Sequence, residues 1–161
     1  YQIAVKNYEM AILYFTEDYN WLYKPILYYL GNSYYYLGKY DVAINSYNKC
    51  LEYAKDQKSW NYDINTSLAL IYAEMGKLAD SKRYYSIANE LYNSVDEKKF
   101  WTLYKINQKY NNNELAMAYL DSSYSNLLER SKRYSNEQER QMYLNNDKYN
   151  KRIQEEWKKV K

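Results

Sequence analysis

Leu27, Leu30, Tyr34 and Leu37 recur at three- and four-residue steps, a spacing that places them on one face of a helix. Gly38 then supplies the permissive backbone on which a helix ends. After Lys39 the same period resumes with Tyr40, Ala43, Ile44, Tyr47, Cys50 and Leu51. The stretch from Leu30 to Tyr53 therefore reads as two short helices folded against each other. Gly31 lies inside the first of them, where glycine costs about 1 kcal/mol relative to alanine. Close approach of the second helix offsets that cost, and small Ala43 and Cys50 are the expected matching half of the contact.

A small–aromatic–small trio repeats along the chain with the same internal steps. Ala4, Tyr8 and Ala11 open it, followed by Ala43, Tyr47 and Cys50, then by Ser81, Tyr85 and Ala88. Ala116, Leu120 and Ser123 form a weaker fourth. First members stand 39, 38 and 35 positions apart. The pattern predicts an all-α chain of helix pairs: a half repeat over 1–17, full repeats over about 20–57, 59–95 and 96–132, and a separate C-terminal helix over 134–161. Within the full repeats, helices are expected near 22–37 and 40–56, then from Ile64 to Met75 and Leu78 to Ser94. A third pair follows, through Phe100 to Ile106 and from Leu115 to about Lys132. Asp18 and Asn20, Ser59, Asn61 with Asp63, and Asp96 are the expected helix caps. Pro25 suits a first turn, where its missing N–H is no loss. Gly76 ends one helix, while Asn111, Asn112 and Asn113 stand where a glycine turn is expected, asparagine tolerating left-handed backbone better than most residues.

Beyond Tyr134 the chain is polar but still helix-forming. Met142, Tyr149, Ile153, Trp157 and Val160 make a narrow apolar stripe on a charged helix. It suits either a cap over the open end of a helical array or a coiled-coil linker to another module or a second copy, giving a homodimer through 135–161. So short a stripe does not decide between them.

Leu27, Leu30, Gly31, Tyr34, Gly38, Tyr40, Ala43, Tyr47 and Cys50 together resemble the signature of the tetratricopeptide repeat family. The match departs at the family's tryptophan position, here Leu27, and lacks its closing proline. The resemblance implies an α–α superhelix, a solenoid of antiparallel helix pairs that binds proteins or peptides, without naming the partner. The family's usual period is about 34 residues, so the longer strides here imply helices extended by about a turn. In this they are similar to the enlarged repeats of some bacterial regulators. Composition, extended repeats and the charged C-terminal helix are similar to sensor segments of Bacteroidetes regulators, in which repeats precede a membrane helix and a kinase or DNA-binding output.

In that family the first helix of each repeat lines the inner wall of a groove. By register, the resemblance implies groove residues Tyr28, Asn32, Tyr35 and Tyr36 in the first full repeat, Thr66, Leu70 and Glu74 in the second, and Trp101, Lys105 and Lys109 in the third. Rings beside amide and ammonium donors suit an extended or helical peptide. Several of these rings would serve equally in packing against the next repeat. The family's clamp for a C-terminal carboxylate needs a set of Lys and Asn that is incomplete here, which argues against chaperone-tail binding.

Composition narrows the alternatives. The 161 residues carry 23 basic and 20 acidic side chains, a net charge of +3 that is too balanced to argue for nucleic acid. The 25 tyrosines fit helix seams with wet hydroxyl tips, although a low-GC genome would also favour them. There is no histidine, so the commonest general base and metal ligand is missing. The single Cys50 excludes an internal disulfide and fits a packed small residue. No catalytic residue, metal or cofactor is expected. No apolar run approaches the roughly 20 residues of a membrane span, so a soluble segment is expected, in the cytoplasm or periplasm. With no signal peptide and no initial methionine, the sequence reads as a fragment of a longer protein.

Overall fold

The chain is described here by a computed structural model covering residues 1–15, 20–55, 57–91 and 97–160. Among these residues there are nine helices and no strand: α1 (Gln2–Tyr14), α2 (Asn20–Tyr36), α3 (Tyr40–Ala54), α4 (Lys58–Glu74), α5 (Leu78–Glu90), α6 (Glu97–Lys109), α7 (Asn113–Ser131), α8 (Glu137–Asn146) and α9 (Lys148–Val160). They divide into two compact units, Tyr1–Tyr92 and Asn93–Lys161. In the first, each helix from α1 to α5 packs on the next. In the second, α6 pairs with α7, and α8 and α9 pack on each other and on α7. This is the paired, all-α architecture of a helical-repeat solenoid. Among the described residues no helix is long and apolar enough to cross a membrane.

Three turns share one construction. Gly38, Gly76 and Asn111 have φ of 72°, 74° and 57°. The N–H of the residue after each reaches back five positions: Lys39 to the Tyr34 carbonyl at 3.0 Å, Lys77 to Tyr72 at 2.9 Å and Asn112 to Asn107 at 3.0 Å. This left-handed closure satisfies carbonyls that the helix end leaves open. Asparagine thus does at position 111 what glycine does in the two earlier pairs, as the asparagine run predicts.

The small positions are where second helices meet first helices. Ala43, Cys50, Ser81 and Ser123 are fully buried, and Ala88 and Ala116 nearly so, while Ala4 and Ala11 are half-buried. Several carry a polar handle. Cys50 Sγ donates to the Lys24 carbonyl at 3.3 Å, and Ser123 Oγ to the Glu97 carbonyl at 2.6 Å. In both pairs donor and acceptor are 26 residues apart, so the two repeats place the same bond at the same register. Ser81 Oγ donates to the Ala69 carbonyl at 2.6 Å. Each bond satisfies a helix carbonyl that tight packing hides from water. Burial pushes the Cys50 thiol up to about 12, so it is a packing residue with little thiolate character. The contact over Gly31 is made by the Tyr47 ring rather than by Ala43 or Cys50.

Other local expectations are corrected. Helix α4 starts at Lys58 with Gln57 at its N-cap and no side-chain cap, so Ser59, Asn61 and Asp63 lie inside the helix. The Asn61 amide instead donates to the Lys55 carbonyl at 2.6 Å, tying the turn before α4 to its first residues. Helix α2 begins at Asn20, five residues before Pro25, which therefore stands beyond the first turn. The caps expected at Asp18 and Asp96 fall outside the described residues.

The largest difference is C-terminal. Two helices replace the single one expected over 134–161, with Asp147 in extended conformation between them (φ −78°, ψ 125°). Asp147 Oδ1 accepts from the N–H groups of Tyr149 and Asn150 at 2.8 and 3.2 Å, which caps α9. A side chain that satisfies the backbone in this way competes with continued helix. Burial alone would raise the Asp147 carboxyl, but the Lys98 hydrogen bond and the two N–H donors outweigh it and hold it low. Its stabilising contribution is therefore full above the ordinary carboxylate pKa of about 3.9 and lost as pH falls through the lower folded value. Asp147→Ala is expected to destabilise the second unit by about 1 kcal/mol at neutral pH, read as a lower denaturant midpoint, with the gap to the parent closing in acid.

Candidate interaction surface

The first of the expected groove rows lies along α2, between α1 and α3. Its residues are half-buried, and its rings fall in two groups, one around Tyr28 and one around Tyr35 and Tyr36. The Tyr28 ring meets Tyr29, Tyr47 and Trp60 at centroid distances of 5.5, 5.8 and 5.5 Å. Asn32 Oδ1 accepts from the Tyr47 hydroxyl at 2.9 Å, so one acceptor position of this amide is used inside the helix pair. Tyr35 stands edge-on to Tyr36 at 5.0 Å and stacks with Tyr40 at 6.0 Å. Tyr36 stacks on Tyr1 at 4.5 Å. Tyr34, on the opposite face, donates its hydroxyl to the Glu9 carboxylate; that bond, reinforced by burial, pushes it up to about 12. Rings held by other rings lose little further freedom on binding, which favours them as anchors.

The other rows are less open. Thr66 and Leu70 are buried, and Thr66 Oγ1 donates to the Tyr62 carbonyl at 2.8 Å; Glu74 is half-buried. In the second unit Trp101 is buried, 5.2 Å from the Tyr104 ring, while Lys105 is half-buried and Lys109 exposed. The described surface thus brings Tyr28, Asn32, Tyr35 and Tyr36 together and turns Thr66, Leu70 and Trp101 inward.

Two cavities were not foreseen from the sequence. One, of about 360 Å³, opens where the start of α2 meets the end of α3 and the start of α4, lined by Trp21, Lys24, Tyr53, Gln57 and Trp60. Lys24 is 5% exposed, and its ammonium donates to Gln57 and lies 5.0 Å from the Trp60 ring centre. A sequence signal existed: Trp21, Lys24 and Tyr28 follow the helical steps of the α2 row. The burial of a lysine could not be read from those steps, since its partners lie more than thirty residues away.

The other cavity, of about 340 Å³, is in the second unit around Glu97, Arg130, Tyr143 and Asn150. Its charges are spent on one another. The buried Glu97 carboxylate accepts from Arg130 Nη1 at 2.7 Å and from the Tyr143 hydroxyl at 3.1 Å. Burial, then the Glu97 charge, pushes Tyr143 up to about 12. Lys98 pairs with Asp147 at 3.0 Å. The Glu97–Arg130–Tyr143 network ties α6, α7 and α8 to one another, while the buried Oδ1 of Asn150 beside it lacks a hydrogen-bond partner among the described residues.

Paired helices and left-handed turn closures define a helical-repeat architecture. The tetratricopeptide repeat family model matches residues 25–57, which take in most of α2, the Gly38 turn and all of α3. The chain therefore contains a tetratricopeptide repeat, a fold that typically serves as a non-catalytic scaffold for protein–protein interaction. No curated protein and no solved structure matches the chain.

Proposed function

We propose that the first unit binds a peptide segment of a partner protein along α2, as the interaction or sensing segment of a larger regulatory protein. The observation that supports this is the α2 face: with α1 and α3 packed on either side, Tyr28, Asn32, Tyr35 and Tyr36 still keep part of their surface in solvent. Tyrosine offers area at low conformational cost and is enriched among residues that dominate binding energy. Tyr35 and Tyr36 are the anchors best suited to a test, because neither belongs to the fully buried core. For a peptide selected from a random library on the parent protein, changing both to Ala is expected to weaken binding by tenfold or more, about 1.4 kcal/mol, with the circular-dichroism spectrum unchanged. Undiminished affinity would remove α2 as the contact face. Self-association through 135–161 is less well supported, because Ile153 and Trp157 of the apolar stripe pack within their own unit.

A further inference from the structure

The cavity at the start of α2 holds a buried ammonium, that of Lys24. An ammonium has three N–H donors, and burying one without a counter-ion is costly. Lys24 nevertheless sits 5% exposed with one amide acceptor, Gln57, and one ring face, Trp60. Among the described residues no carboxylate pairs with it. Trp21, by contrast, stands 74% exposed at the mouth of the same cavity. A large ring left in water beside a desolvated charge is the composition of a binding hot spot rather than of a core.

The chemistry that the cavity suits follows from what lines it. Indole and phenol faces alone would suit a cation, but Lys24 already occupies the Trp60 face and repels a second positive charge. A phosphate, mostly dianionic at neutral pH, would call for more donors than one lysine and one amide provide. A carboxylate is a single negative charge that one ammonium neutralises. The volume, about 360 Å³, falls at the small end of the range for ligand pockets, suited to one side chain and its neighbours.

We propose that this cavity is an acidic-residue subsite: it takes the side-chain carboxylate of a Glu or Asp in the bound peptide, with Lys24 as counter-ion and Trp21 and Trp60 as walls. The inference rests on the reading that α2 binds a peptide, since Trp21 and Lys24 continue the Tyr28 row towards the helix start. It adds the charge of that peptide and the point at which it is read.

The test uses the indole N–H resonances of the 15N-labelled protein, in which Trp21 and Trp60 report the cavity and Trp101 and Trp157 serve as controls. Three blocked pentapeptides, Ac-Ala-Leu-Glu-Leu-Ala-NH2 and its Gln and Lys counterparts, are titrated in turn, followed by sodium acetate. The Glu peptide is expected to shift the Trp21 and Trp60 signals saturably, binding tenfold or more tighter than the Gln peptide, with the Lys peptide weaker still. Lys24→Met is expected to erase the Glu–Gln difference while the control signals stay in place. Equal affinity for the Glu and Gln peptides on the parent protein would overturn the subsite, whatever the stability of the variant. Acetate binding as tightly as the Glu peptide would overturn the peptide source in favour of a small carboxylate. The Glu preference is expected to persist when Tyr35 and Tyr36 are both Ala, so loss of the α2 anchors and loss of the subsite give different results.

Discussion

Ile153→Ala is expected to destabilise the second unit by about 2–5 kcal/mol, the range for removing most of a buried aliphatic side chain and leaving a cavity. Ile153 is fully buried in a core shared with Leu120, Leu127 and Leu144. It is the one fully buried apolar side chain of α9, a helix otherwise made largely of Lys, Arg, Glu and Gln. Its other anchors include the Trp157 ring, stacked on Tyr124 at 4.2 Å with its N–H donating to Asp121 at 2.8 Å, the Tyr104 hydroxyl donating to Glu156 at 2.8 Å, and the amides of Asn150 and Gln154 donating to the Tyr143 and Leu144 carbonyls at 2.9 and 2.7 Å. Each of these contacts is worth about 1 kcal/mol, so none of them singly offsets the loss of the Ile153 side chain. The denaturant midpoint should fall by the same amount at low and high protein concentration. If the stripe instead joined two copies, the loss would grow on dilution and the molar mass by light scattering would drop. That pattern would reverse the assignment of α9 to its own unit.

The same helix shows why the C-terminal region was the least legible part of the sequence. The sequence pattern puts Met142 and Ile153 in one stripe on one rod, yet Met142 is 53% exposed while Leu144, outside the stripe, is buried. The break at Asp147 resets the helical phase. Its signal is a single capping side chain among many polar residues, and Asn136, which caps α8 by accepting from the Glu139 N–H at 2.8 Å, is hidden in the same way. In the repeats the punctuation is sparse and therefore readable: Gly38, Gly76 and the asparagine run are rare in their surroundings, and all three close turns by the same backbone bond. Helical steps decide that Tyr28, Asn32, Tyr35 and Tyr36 share one face of α2, whereas that face as a groove wall is implied only by the family resemblance. Burial of Thr66, Leu70 and Trp101, and of Lys24, depends on what packs over a face, which local periodicity does not contain. The presence of a close contact at Gly31 was readable from the helix-propensity cost, but its partner was not, since that depends on the register of α3 against α2.

That contact makes Gly31→Leu the sharpest test of the helix pair, with an expected loss of about 1–3 kcal/mol from overpacking. A Cβ on Gly31 would stand 2.8 to 3.0 Å from three ring carbons of Tyr47, against an optimum of about 3.5–4.0 Å for carbon pairs. The ring has little freedom to retreat. It is 1% exposed, packs against Tyr28, and its hydroxyl is tied to Asn32. Replacing glycine inside a helix returns about 1 kcal/mol of propensity, so Gly31→Ala should show only a small net loss, while the further carbons of leucine add strain without further return. A double-mutant cycle isolates the cause. Tyr47→Leu should cost less in the Gly31→Ala protein than in the parent, with a coupling energy of about 0.5–3 kcal/mol. Additive effects, or a Gly31→Leu protein with the parent's urea midpoint, would mean that α2 and α3 do not approach at this point, and the helix pairing on which the α2 surface depends would have to be redrawn.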